Sequence, residues 1–140
     1  MRLDELRFAF WFDRDRAGAA PAEIENTEQA IGRRLPRELK EALRVRDGGV
    51  SAFSGYQRDD FYVPLPAFFS LAEMIKAERN RDMEGTPEGV VAIASGAHEW
   101  LGLDYRDGGE PKIVFQASDQ EDLELVADSF EQLLDGLVED

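Results

Sequence analysis

The chain has no cysteine and only one histidine in its 140 residues. The first absence excludes disulfides and thiolate metal sites. A lone imidazole without thiolate companions makes a poor transition-metal site. Long apolar runs are missing too, and nothing approaches the roughly 18 consecutive apolar residues of a membrane span. Near the N-terminus, Asp4, Glu5 and Arg7 interrupt one apolar stretch and Asp13 closes the next. A secretory signal, which needs an apolar region of about 7–15 residues, is therefore not expected. Repeats, low-complexity segments and long linkers are also lacking, which points to one domain over residues 1–140. The resulting expectation is a cytoplasmic protein with no membrane segment.

Positive charge is scarce as well. Sixteen Lys+Arg stand against 30 Asp+Glu, a net of −14. The imbalance is concentrated in residues 98–140, where 13 acids face only Arg106 and Lys112, a net of −11. Residues 33–46 run the other way, with Arg33, Arg34, Arg37, Lys40, Arg44 and Arg46 against Glu38 and Glu41. A field of mostly one sign repels phosphates, so nucleic acid is not an expected partner. The same field speeds association with a basic protein and disfavours acidic ones. Solubility alone is the plainer use of an acidic surface.

Apolar residues make up 43 % of the chain, enough for a core. Four helices are signalled. Pro21 opens a segment with Ile24, Thr27, Glu28 and Ile31 on one face, closed by Gly32. Pro36 opens a second, with Leu39, Ala42 and Leu43 aligned, and Asp47-Gly48-Gly49 stops it. Ser70-Leu71-Ala72-Glu73 has the form of a capping box and starts a third, with Leu71, Met74 and Ile75 inward. Ser129-Phe130-Glu131-Gln132 repeats that form and leads a stripe of Phe130, Leu133, Leu134, Leu137 and Val138. Strands are expected at Val90–Ala94 and, around Asp107-Gly108-Gly109, as a hairpin of Trp100–Tyr105 with Lys112–Gln116. Phe61-Tyr62-Val63 is a weaker strand signal. Helices first, strands next and a closing helix spell an α+β fold.

Little in the chain suggests catalysis. His98 and Glu99 are neighbours, and adjacent strand residues point to opposite faces. Ser95 lacks the G-x-S-x-G elbow of a hydrolase nucleophile. Asp47-Gly48-Gly49-Val50 is no phosphate loop. The acids at 104–110 miss the spacing of a calcium loop, and a hairpin turn suits them better. Asp59-Asp60, with Glu99, leaves a remote alternative, a small hydrolase using carboxylates. No cofactor is expected. The aromatic run Phe8, Phe10, Trp11 and Phe12 suits either a segment packed on the core or a docking surface.

Taken in order, several segments form a pattern. Phe10-Trp11-Phe12-Asp13 precedes a Pro-led helix. Ile24-x3-Glu28-x2-Ile31-Gly32-x2-Leu35-Pro36-x2-Leu39 runs on to Asp47-Gly48-Gly49. Ser95 to Arg106, Gly109-Glu110-Pro111-x-Ile113-Val114, and Val126-Ala127-Asp128-Ser129-Phe130-Glu131-x-Leu133-Leu134 follow. This order resembles the SUKH superfamily, also called the SMI/KNR family after fungal regulators of cell-wall synthesis. One departure is Asp47, where the family usually has Asn; both residues tolerate the turn.

The resemblance implies one SMI/KNR-like domain, a mixed sheet covered by N-terminal helices and a C-terminal helix. It also implies a protein-binding role without catalysis. Bacterial members are commonly immunity proteins that neutralise toxins, and fungal members are regulatory interaction modules. The expected partner is then a cognate toxin, with nucleases, whose active sites are basic, among the candidates, or another basic protein. A regulatory scaffold for an endogenous partner is the alternative. Charge and expected exposure select Glu99, Asp104, Asp107, Glu110, Asp119, Glu121 and Asp122 as contact residues, with Trp100 and Tyr105 as aromatic anchors.

Overall fold

A computed structural model describes residues 9–12, 17–117 and 120–139. Phe8, Asp13 and Asp119, named above, lie outside them. The described helices are α1 (Pro21–Ile31), α2 (Arg37–Val45), α3 (Leu71–Arg79), α4 (Arg81–Glu84) and α5 (Phe130–Asp135). The strands are β1 (Gly55–Arg58), β2 (Phe61–Pro64), β3 (Ala67–Phe68), β4 (Val90–Ser95), β5 (Glu99–Asp104), β6 (Lys112–Ala117), β7 (Glu124–Ala127) and β8 (Leu137–Val138). They form a three-stranded sheet, β2–β1–β8, and a five-stranded sheet, β3–β4–β5–β6–β7. The class is α+β, as expected. Every pairing is antiparallel, which refines the single mixed sheet into two sheets built largely from hairpins. None of the described helices is long and apolar enough to cross a membrane.

Helix boundaries follow from local chemistry. Pro21 stands at the start of α1, the Glu23 carboxylate accepts the Ala20 N–H at 2.9 Å, and Gly32 closes the helix at φ 74°. Ser70 caps α3 reciprocally: its Oγ accepts the Glu73 N–H at 3.1 Å while Glu73 accepts the Ser70 N–H at 2.9 Å. Asp47 Oδ1 accepts the Leu71 N–H at 2.8 Å, so the turn that follows α2 also caps α3. That junction is tight. Gly48 sits at φ 88°, and a Cβ there would lie 2.5 Å from the Ser70 nitrogen.

The last helix departs from the sequence expectation. The apolar stripe was expected to carry it through Leu137 and Val138, yet α5 ends at Asp135 and those two residues pair with Tyr56 and Gly55 as β8. Gly136 makes the exit, and a Cβ on it would lie 2.3 Å from the Tyr56 ring. A tertiary pairing overrides the helical period here.

One contiguous cluster forms the core. It takes Leu39 and Leu43 from α2, Met74 from α3, Leu101 and Leu103 from β5, Ile113 and Phe115 from β6, and Phe130, Leu133 and Leu134 from α5. Each such side chain contributes about 1.5–3 kcal/mol by leaving water. Phe10, Trp11 and Phe68 join it edge to face, with centroids 4.8–6.1 Å apart. The Trp11 indole donates to the Ala42 carbonyl at 2.8 Å. Phe10 and Trp11 therefore pack on the core, whereas Phe12 is 76 % exposed.

Candidate functional site

Alternation along β5 and β6 divides their side chains between two faces. Leu101, Leu103, Ile113 and Phe115 enter the core, beneath α2, α3 and α5. Trp100, Gly102, Asp104, Lys112, Val114 and Gln116 occupy the opposite face, in the register Trp100↔Gln116, Gly102↔Val114 and Asp104↔Lys112. Val90 and Val114 are buried, yet neither belongs to the core cluster. They lie on the second face. Leu125, opposite Val114 on β7, is 48 % exposed.

Trp100 organises this face. Gly102 has no side chain to keep the indole off the sheet; a Cβ there would meet Trp100 Cζ3 at 2.7 Å and Val90 Cγ1 at 3.0 Å. A glycine inside a strand often marks such a close approach. The indole N–H donates to Gln116 Oε1 at 2.9 Å, and Gln116 Nε2 donates to the Glu121 carbonyl at 3.0 Å. The ring is thereby fixed in orientation while remaining half-buried. A fixed, partly exposed indole with small apolar neighbours resembles the anchors that concentrate energy at interfaces.

Acids rim the face unequally. Asp104 accepts from Arg106 N and Nε through Oδ1 and from Nη2 through Oδ2, each at 2.9 Å. Those Arg106 hydrogen bonds hold the Asp104 carboxyl below the ordinary aspartate range, against the opposing effect of burial. The same pair raises the Arg106 guanidinium. Asp107 holds the Lys112 ammonium at 2.9 Å and raises it. Glu110, Glu121 and Asp122 are exposed. Gly108 and Gly109, at φ 76° and 69°, make the expected turn between β5 and β6.

The structure thus brings together Trp100 and, through Gln116, the loop of Glu121 and Asp122. Asp104, Asp107 and Glu110 gather around the hairpin turn. Glu99 stands apart, on the other parity of β5, with its carboxylate folded toward Gly96. Tyr105 requires a correction. It was expected as an exposed anchor but is only 8 % exposed. Its hydroxyl donates to the Arg34 carbonyl at 2.5 Å, and Arg33 lies 5.3 Å over its ring. Burial, then the Glu28 carboxylate, raises its phenol well above the usual range, with Arg33 opposing. Tyr105 is a tether between the hairpin and the turn after α1.

Charge counting did not reveal Gly102, Val114, Gln116 or Leu125. Reading the parity of β5 and β6 from Trp100, with Gly102 as the signal, would have found the first three. The other chemistry considered is dispersed. His98 is exposed in the bend before β5, and Ser95 is exposed at the end of β4. Asp59 and Asp60 form the β1–β2 turn, Asp59 at φ 54°, on a different sheet from Glu99.

No curated protein matches this chain. The family model described as SMI1 / KNR4 family (SUKH-1) matches residues 18–136, from before α1 to the glycine that ends α5, and so takes in the whole five-stranded sheet. The chain belongs to the SMI1 / KNR4 family (SUKH-1).

Proposed function

We propose that this chain is an immunity protein acting in the cytoplasm as a single domain, which binds a basic cognate toxin and neutralises it by covering its active site. Its family consists of immunity and regulatory domains, generally non-catalytic, that commonly bind partner proteins. The observation that carries the reading is the second face of the five-stranded sheet, where a fixed Trp100 meets an acidic rim. Leu125, 48 % exposed beside the buried Val114, extends the apolar centre, and Glu110, Glu121 and Asp122 supply charge at its edge. Such an arrangement, an aromatic anchor inside a polar rim, is how protein interfaces are built. A nuclease toxin suits it, because a site that holds phosphates is itself basic. The net of −11 over residues 98–140 steers such a partner, to on-rates of about 10⁸–10⁹ M⁻¹s⁻¹ at low salt.

The test is co-expression with candidate toxin genes, taken first from the gene's own neighbourhood. Rescue of growth and a complex on size-exclusion chromatography are expected. Trp100→Ala should weaken the complex about 30-fold, equivalent to roughly 2 kcal/mol. Neutralising Glu110, Glu121 and Asp122 together should slow association and flatten its salt dependence. Failure of rescue, with pull-downs returning only endogenous proteins, favours the regulatory role instead. An affinity indifferent to both sets of changes removes this face from the interaction.

A further inference from the structure

A concentration of positive charge among the described residues lies on the far side of the Tyr105 tether. α1 stops at Gly32, and Arg33-Arg34-Leu35-Pro36 leads into α2. Two grooves flank this turn. The larger, about 700 Å³, lies between α1 and α2 and is lined by Ile24, Glu28, Arg33, Arg34, Lys40 and Arg44 among others. The smaller, about 440 Å³, lies between the turn and the β5–β6 hairpin, with Arg33, Arg34, Arg37, Tyr105 and Glu110 in its walls. Arg33 and Arg34 line both.

The turn is held in place from two sides. Glu28 Oε2 accepts the Leu35 N–H at 2.7 Å and stands 3.5 Å from Lys40 Nζ. On the other side, the Tyr105 hydroxyl binds the Arg34 carbonyl. Two of the nearby carboxylates are already engaged, Glu28 with Lys40 and Glu41 with Arg44, while Glu25 and Glu110 also line the grooves. Arg81 and Arg106 each hold a carboxylate as well. The side chains of Arg34 and Arg37 are exposed and hold none among the described residues. In a protein with 30 acids and 16 bases, neighbouring guanidinia without carboxylates are notable. A guanidinium presents a planar fork that pairs bidentately with a carboxylate. Here the backbone beneath the forks is already tethered, which lowers the ordering cost of a ligand.

Size and field select the ligand. Charges more than about 8 Å away are largely screened at physiological salt, so the local positive field governs a ligand no larger than the grooves. A long polyphosphate would extend beyond this corner into the field of a protein with net charge −14. Ile24, Leu35 and Pro36 add apolar wall between the charges, which suits a peptide better than a bare ion. We infer that the Arg33–Arg34–Arg37 corner binds a short acidic peptide segment of a partner protein, with Arg34 and Arg37 gripping its carboxylates. Glu110 stands both in this groove and at the edge of the acidic sheet face, but the site does not depend on the toxin reading.

The test uses the full chain and a short fluorescein-labelled peptide of alternating Glu and Leu, followed by anisotropy. Saturable binding is expected, weakened roughly tenfold or more by Arg34→Glu with Arg37→Glu. Both side chains are exposed, so thermal melts should be unchanged; Arg34→Gln with Arg37→Gln gives a second, milder variant. Arg58→Glu, at an exposed arginine on β1, should leave affinity as it is. A peptide with Gln in place of Glu should not bind. Equal binding by both pairs of variants and the wild type overturns the inference, as does equal binding of the Gln peptide. Displacement of the peptide by inorganic phosphate at the peptide's own concentration also overturns it, in favour of a small-anion site.

Discussion

Neighbouring residues of β5 live in two different environments. Leu101 and Leu103 are fully buried in the core cluster, while Trp100 and Asp104 stand half-buried on the opposite face of the sheet. The two faces are held by different physics. On the first, volume and apolar area decide which residues fit. On the second, one indole, one amide and a few ion pairs decide, and each is worth little to folding. A strand built this way can keep its fold while its outer face changes partner, because fold and function rest on separate sites of one scaffold.

The sharpest way to break the comparison is to cut into the core face. Leu103→Ala removes a fully buried side chain from the centre of the sheet. It should cost about 2–5 kcal/mol, lowering the melting temperature by roughly 10 °C or more. Differential scanning calorimetry measures this. If the faces are separable, the variant that stays folded at low temperature still binds its partner with near wild-type affinity. A loss of affinity as large as that of Trp100→Ala would mean that the open face is shaped through the core.

Much of the core face was legible in the sequence, and little of the open face was. Pro21, Ser70 and Ser129 announce helix starts by local chemistry, and local chemistry is what a sequence displays. The stripe through Leu137 and Val138 misleads because its helical period is real, while the pairing with Gly55 and Tyr56 depends on residues 81 and 83 positions away. The site suffers from the same distance. Glu110, Glu121 and Asp122 were accessible to charge counting, but Gln116 gains its role only by standing opposite Trp100. Tyr105 looked like an anchor because aromatics in acidic loops often are; its tether to Arg34 spans 71 positions and leaves no local sign.

An intermediate effect is expected at the hinge between the two faces. Gly102→Ala places a methyl where the Trp100 ring and Val90 already sit. The backbone cannot retreat, since the Val91 carbonyl lies 3.3 Å from the same point. The indole must lift and give up Gln116. Overpacking of this kind costs about 1–3 kcal/mol. The chain has two tryptophans, so NMR separates them. The Trp100 indole N–H resonance should shift, while that of Trp11, bound to the Ala42 carbonyl, should not. Movement of both would show that the faces are coupled through β5.

The smallest effect belongs to the rim itself. Asp104 titrates below its ordinary value because the Arg106 guanidinium and N–H bind the carboxylate. A depressed carboxyl stabilises the fold above its unfolded value, near pH 4, and loses that contribution as pH falls through the folded one. Asp104→Asn removes the charge while keeping the shape. It should cost about 1 kcal/mol or less at pH 7, as the Arg106 side chain is half exposed and screened. Urea midpoints of variant and wild type should converge as pH falls from 4 toward 2, where a protonated Asp104 becomes nearly isosteric with Asn. A gap that persists at low pH would mean that Asp104 acts by packing, and the rim would then belong with the core face in the way it holds the fold.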